Sequence, residues 1–300
     1  MRFTRPLIVT VAAAAVLLTA ASGASAFEGS SAAPPSGDTT PAPLRILLTN
    51  DDGWDAPGIT ATYRALTAAG HDVTMVAPAQ NQSGKSAAID FQGKLTVAHP
   101  SGDPKVYSVT STPAGSAMFG INEVFKDAKP DLVVSGTNVG SNVGFDTNYS
   151  GTVGAAVVAS GGFGIPAIAI STDTSRDPEL VPAYDQTAAL LVRILDGGIP
   201  RTSPGTVLNI NYPLLKDGAT TPKGMKYTPM SSASAADIRY SRIDDTTYEI
   251  KPGRAATPPA AGTDFAELDA GFVTFTLLDA DRTADRADAA TITRLVRSLS

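Results

Sequence analysis

Two aspartates stand side by side at Asp51 and Asp52, between an apolar run that ends at Thr49 and the glycine at 53. Adjacent carboxylates repel each other, and placing them at a strand end destabilises the fold unless a cation compensates. Neighbouring side chains on a strand point to opposite faces, but a turn at Gly53 can bring both round to one ion. Their oxygens suit a hard divalent cation, Mg²⁺, Mn²⁺ or Ca²⁺; the competing reading is a solvated Asp-Asp-Gly turn. A second polar cluster, Asn81-Gln82-Ser83-Gly84-Lys85-Ser86, follows the next apolar run. Its Gly84-Lys85-Ser86 end looks like the tail of a nucleoside-triphosphate loop, but the first glycine of that motif would fall at Ala79, which argues against it. The Ser83 hydroxyl could still reach a cation, or the segment is an ordinary polar turn. The third cluster runs from Ser135 to Thr152 and is rich in Gly and Asn. Asn138, close to a strand end, offers a side-chain carbonyl to an oxygen cage. Ser150-Gly151-Thr152 opens the next helix, where free backbone N–H groups and two hydroxyls make an anion site. A plain N-cap at Ser150 on a long surface loop is the alternative there, although structureless loops of that length are more often functional than idle.

A cation cage and an anion cradle at adjacent strand ends describe metal-assisted phosphoryl transfer, in which the metal polarises a phosphoryl oxygen and lowers the pKa of bound water. Other hydrolytic chemistries find no support. The chain has no cysteine, which removes thiol nucleophiles, disulfides and zinc–thiolate sites. His71 and His99 are its two histidines, and both are expected at the surface, so a Ser-His-Asp triad is not supported. No G-x-S-x-G elbow occurs. A phosphoaspartyl mechanism would want D-x-D after the first strand, whereas these carboxylates are adjacent.

The elements that must position these clusters follow from periodicity. Leu44–Thr49 reads as a buried strand and Gly58–Gly70 as a helix with Ile59, Tyr63 and Leu66 on one face. Val73–Ala77, Asp131–Val134 and Ile165–Ile170 are further strands, and Ala114–Phe125, Gly151–Gly161 and Tyr184–Leu195 are further helices. This rhythm predicts an α/β protein with a mainly parallel sheet and helices on both faces. Ligands bind at the carboxyl ends of such strands, which is where the three clusters fall. Residues 206–283 read as a β-rich extension, with short strands at Val207–Asn211, Met225–Tyr227, Thr247–Ile250 and Phe272–Thr276 separated by Pro, Gly and Ser. They suggest an antiparallel hairpin arm. The tail, 284–300, reads as a helix with Ile292, Leu295 and Leu299 on one stripe.

The 300 residues carry a net charge of −6. No Lys/Arg cluster supplies the basic face that a nucleic-acid duplex would need. Arg2 and Arg5, the apolar run Leu7–Ala21 and the small residues Ala24-Ser25-Ala26 together form a secretory signal pattern over residues 1–26. The chain is therefore expected to be exported to the periplasm or the exterior, free of the membrane after cleavage, with an uncleaved anchor as the alternative. Residues 27–43 are Pro, Ser, Thr and Ala with little apolar content and read as a flexible linker. The main domain is expected over 44–283.

The segments ILLTNDDGWDAPGI, VVAPAQNQSGKS, DLVVSGTNVGSN and YSGTVGAA resemble, in order, the signature blocks of the SurE survival-protein family, with LNINYP and TDFAELDAGFVTFTLL resembling its later blocks. The resemblance implies a Rossmann-like sheet with a C-terminal extension used in dimerisation, hence a homodimer or higher homo-oligomer. It also implies a metal-dependent 5′/3′-nucleotidase with acid-phosphatase-like breadth, acting on nucleoside monophosphates or other small phosphomonoesters with one divalent ion per site. By motif, Asp51, Asp52, Ser83 and Asn138 match the family's metal ligands, the two aspartates being the catalytic pair. Asn50, Ser150, Gly151 and Thr152 match positions around the bound phosphate. Metal-bound water would attack, its proton managed by Asp51 or by the metal alone. Gln82 stands where the family usually has Arg, and Thr112-Pro113-Ala114-Gly115 lacks the Asp of a G-T-P-x-D block; both departures bear on substrate preference. A broad-specificity exported acid phosphatase and a non-catalytic protein holding a phosphorylated ligand are the alternatives.

Overall fold

A computed structural model describes residues 42–175, 177–254, 257–283 and 289–299. The expected signal peptide and all but the last two residues of the expected linker lie outside them. The first strand, β1 (Arg45–Thr49), shows why the sheet is covered twice. Ile46 and Leu48 face one apolar core and Leu47 the other, and all three are fully buried. On the first side pack α1 (Pro57–Ala68) and α4 (Tyr184–Asp196), which supply Ile59, Leu66, Leu191 and Leu195. On the second pack α2 (Pro113–Phe119) and α3 (Gly151–Val157). Small side chains such as Ala156 let α3 sit close to the strands.

Around β1 the parallel partners are β2 (Asp72–Pro78) on one flank and β5 (Leu132–Val139) on the other. Beyond β2 lie β4 (Val106–Val109) and the short antiparallel β3 (Val97–Ala98), which the sequence patterns had not marked as a pair. Beyond β5 come β6 (Ala167–Thr172) and β7 (Thr206–Tyr212), both parallel. The chain leaves β1 towards β2 and returns to the other side of β1 with β5. That reversal is a topological switch point, where open α/β sheets form their ligand crevice.

Two expectations are revised. The Ser135–Thr152 stretch is not a structureless loop: β5 runs on to Val139 through a bulge, and Gly144–Asn148 forms a 3₁₀ turn. Buried backbone groups need partners, and β6 supplies them in the pairs Asn138–Ser171 and Val139–Thr172. The segment 206–283 is also less separate than its composition suggests. β7, buried along most of its length, pairs with antiparallel β11 (Val273–Asp279), which in turn pairs with β8 (Met225–Tyr227), so all three complete the nine-stranded sheet. Only β9 (Ala236–Arg242) and β10 (Tyr248–Arg254) form a separate antiparallel hairpin. A short α5 (Asp264–Asp269) precedes β11, and α6 (Ala289–Leu299) ends the described chain with Ile292, Leu295 and Val296 exposed.

Candidate active site

Directly after β1 the chain turns through Asn50-Asp51-Asp52-Gly53. Asn50 is fully buried and closes the turn on itself: its Nδ2 donates to the Gly53 carbonyl at 2.8 Å, and its Oδ1 accepts from the Gly53 amide at 3.3 Å. The side chain expected beside a phosphate thus shapes the turn that presents the two aspartates.

Asp51 is 3% exposed. Its Oδ1 accepts a short hydrogen bond of 2.5 Å from the Thr152 hydroxyl. Gly151 must be glycine here, because a Cβ would lie 2.7 Å from Asp51 Cβ and 2.9 Å from Asp51 Oδ2. The helix start is therefore pressed onto the Asp51 carboxylate, and the Thr152 hydroxyl and the Gly151 and Thr152 amides stabilise its charge. Ser150 caps α3 conventionally, its Oγ accepting from Val153 N at 3.1 Å.

Asp52 turns the other way, towards β5, where its Oδ2 accepts from Val139 N at 2.9 Å. One residue earlier, the Asn138 amide nitrogen donates to Gly140 O at 2.7 Å, which makes Asn138 Oδ1 the atom a cation could use. The loop after β2 is drawn in by its backbone. Gln82 N donates to the Asp51 carbonyl at 2.7 Å, and Ser86 N donates to the Tyr149 carbonyl at 3.0 Å. Ser83 is thus held, exposed, on a bridge between the aspartate turn and the start of α3. The three clusters that lie far apart in sequence share one end of the sheet.

Electrostatics mark the same place. Burial pushes the Asp52 carboxyl up to about 7; the Val139 amide opposes this and the neighbouring Asp51 charge adds to it. Burial also raises Asp51, against the opposing Thr152 hydroxyl. Among the described residues the ion pairs lie elsewhere, as in Arg45–Asp131 and Lys226–Glu267, and no Lys or Arg pairs with either aspartate. Two adjacent carboxylates, one buried and one half-buried, without a protein cation fit a bound metal ion. Among the described residues no three His, Cys, Asp or Glu side chains cluster in a metal-binding arrangement. A cation here would combine the two carboxylates with neutral oxygens, for which Ser83 Oγ and Asn138 Oδ1 are placed, and an all-oxygen set selects a hard ion.

Two nearby residues escaped the sequence reading. Asp173 follows β6, accepts from Ser141 Oγ at 3.1 Å, and has its carboxyl raised by burial. Its position just past a strand end was a signal of the same kind as that of Asp51. Tyr184 begins α4, and its phenol is raised by burial and by the charge of Asp52. Nothing local in the sequence pairs Tyr184 with Asp52, since three α-helices and five strands separate them.

Fold and site together define an α/β protein of Rossmann-like topology with an oxygen-donor site at its switch point. A family model described as survival protein SurE matches residues 46–237. The chain belongs to this family. It is 38% identical over 257 residues to a protein named 5′-nucleotidase SurE from Nitratidesulfovibrio vulgaris, covering 84% of this chain and 98% of that one. It is also 38% identical over 249 residues to a 5′/3′-nucleotidase SurE from Shigella dysenteriae, covering 81% and 93%. The crystal structure of the SurE protein from Aquifex aeolicus superposes with a TM-score of 0.70 at 32% identity, covering 83% of this chain and 98% of that one.

Proposed function

We propose that this chain is a 5′/3′-nucleotidase that uses one divalent ion, Mg²⁺ or Mn²⁺ with Ca²⁺ as a further candidate, to hydrolyse nucleoside monophosphates to nucleoside and phosphate. The observation that carries the reading is the adjacent couple of buried Asp51 and half-buried Asp52 at the switch point, with no Lys or Arg pairing with either and the start of α3 pressed against Asp51. The names of the related proteins support the same substrate class.

When bound, the ion supplies Lewis-acid stabilisation of the phosphoryl oxygens and a ligated water of lowered pKa. The protein does the rest by positioning. Asp51 and Asp52 would hold the ion with Ser83 and Asn138. Thr152 fixes which oxygen of Asp51 faces the crevice. The phosphate lies against Ser150, Gly151 and Thr152, with Asn50 setting the turn and keeping one amide proton to offer. A phosphate dianion held there would offset the charge of a cation on the aspartates, so neither charge would stand alone.

The test is phosphate release from a panel of nucleoside 5′- and 3′-monophosphates and p-nitrophenyl phosphate, using chelated protein resupplied with each metal. Metal-restored release with a higher kcat/KM for nucleotides supports the reading. Equal rates on the aryl ester would make it a general phosphatase, and nucleotide binding without release under every metal would make it a binding protein.

Two further readings belong with this one. Export follows from the leader-like residues 1–26 and implies phosphate scavenging from external nucleotides; fractionation of expressing cells checks it. Self-association fits the β9–β10 hairpin, where Tyr240 and Ile250 are 67% and 63% exposed, and light scattering measures it.

A further inference from the structure

Among the described residues, one fully buried carboxylate lies outside the site. Asp264, the first residue of α5, is 0% exposed. Its Oδ2 accepts from Gly144 N at 2.9 Å, and its Oδ1 accepts from Ser231 N at 2.7 Å and from Phe265 N at 2.8 Å. Those three amides belong to three separate pieces of chain: the 3₁₀ turn that leads into α3, the strap between β8 and β9, and α5 itself. Burial raises its carboxyl and only backbone amides oppose the rise, so no protein cation offsets the unfavourable burial of this charge. A carboxylate held this way is justified by the position it enforces.

That position is the seat of the candidate phosphate loop. On the sheet side Asn142 anchors the loop: its N donates to Asn211 Oδ1 at 2.7 Å, and its carbonyl accepts from Asn209 and Asn211 side chains at 2.9 and 3.0 Å. Across from the sheet, the strap closes over it. Phe145 N donates to Ala233 O at 2.9 Å, and Gly144, at φ +56, has Ala233 O 2.2 Å from where a Cβ would stand. Asp146 accepts from Ser234 Oγ and from the amides of Ala235 and Ala236 at 2.8 and 3.0 Å. Five residues separate Gly144 from Ser150, so the clamp sets where the α3 start, and with it the Thr152–Asp51 bond, comes to rest.

We propose that Asp264 is a positioning residue for phosphate binding and hydrolysis: by joining Gly144 to Ser231 it locks the loop carrying Ser150–Thr152 to the root of the β9–β10 hairpin. This rests on the phosphatase reading for its chemistry. A residue that orients groups around a metal–phosphate site typically changes affinity or rate by 10–100-fold when altered.

The test uses the full chain with Mg²⁺ and the variants Asp264→Asn and Asp146→Asn. An asparagine at 264 keeps the shape but leaves one acceptor oxygen for three amides. Three quantities are read: amide exchange of peptides covering 142–153 and 229–236 against those of β1 and β7, binding of inorganic phosphate by calorimetry, and the KM-against-kcat split. For Asp264→Asn the expected result is about tenfold faster exchange confined to the two loop peptides, with phosphate Kd and KM raised about tenfold. Wild-type phosphate affinity in a folded Asp264→Asn protein overturns the proposal. So does faster exchange spread evenly over the sheet with KM unchanged, the mark of a merely structural carboxylate. Where Asp264→Asn does not fold, Asp146→Asn on the half-buried side of the clamp decides: a severalfold rise in phosphate Kd supports the proposal and an unchanged Kd overturns it. A parent protein that binds phosphate yet releases none from any ester would sink the hydrolase reading alone, and exchange and binding would still judge Asp264.

Discussion

The two ends of the parallel sheet are built to opposite plans. At the carboxyl end, loops after β1, β2 and β5 are drawn together by direct bonds: Gln82 to Asp51, Ser86 to Tyr149, Val139 to Asp52 and Thr152 to Asp51. At the amino end a cleft of about 730 Å³ opens among Leu44, Ile165, Pro166 and the Gly197–Pro204 turn. It has room and no carboxylate. The lesson is that volume does not locate chemistry. Turns that only reverse the chain can leave space, whereas charges taken out of water must be held by specific donors. Asp51, Asp52 and the start of α3 lie where those donors converge.

Replacing Asp51 by Asn tests the contrast most severely. It removes a charge from the proposed cage, and kcat/KM is expected to fall on the order of 10⁴-fold. Because burial raises the Asp51 carboxyl, the neutral side chain is expected to leave the metal-free melting temperature unchanged or higher. Lost activity and retained stability in one variant would separate function from folding; a matching loss of both would erase the distinction.

Next in size is the pH dependence of the metal-free protein. The Asp52 carboxyl stands at about 7 when folded, against an ordinary 3.8. The folded state then binds its proton more tightly than the unfolded state. Stability is therefore fully present below 3.8 and falls as pH rises through the window to about 7. The limit for a shift of this size is roughly 4 kcal/mol, and ionisation of Asp51 acts in the same direction. Melting curves of chelated protein across that window measure the slope, and saturating Mg²⁺ is expected to flatten it.

Gly151→Ala places a methyl against Asp51 and is expected to lower kcat/KM about 100-fold, since small displacements at a reacting site are costly in rate. Thr152→Ala, which removes one donor to Asp51, is expected to lower it about tenfold, with Thr152→Ser restoring most of the loss. At the amino end, Arg201→Ala in the cleft is expected to change the rate less than about twofold and stability by under ~0.5 kcal/mol. A large effect there would undo the comparison between the two ends.

Much of this architecture is legible in the chain. Short unbroken apolar runs such as Ile46-Leu47-Leu48, bounded by polar turn residues, read as strands covered on both sides, and the structure buries them so. Small-residue helices such as Gly151–Val157 announce close packing. The misread stretches share one feature, dependence on distant partners. The bulged end of β5 looks like loop because Gly and Asn have weak strand preference, and it is a strand because β6 lies beside it. Likewise β7 and β11 belong to the main sheet because their apolar residues find partners there.

The same division holds for the site. Residue types and their order were enough to nominate Asp51, Asp52, Ser83 and Asn138 as oxygen donors and Ser150–Thr152 as a helix start, because donor chemistry and capping are local properties. Which Asp51 oxygen meets Thr152, that Asn50 closes the turn, that the charge of Asp52 reaches the Tyr184 phenol and that Asp264 clamps the loop were decided by tertiary structure alone. These contacts join residues dozens of positions apart or depend on the exact path of the turn, and local preference carries no information about either.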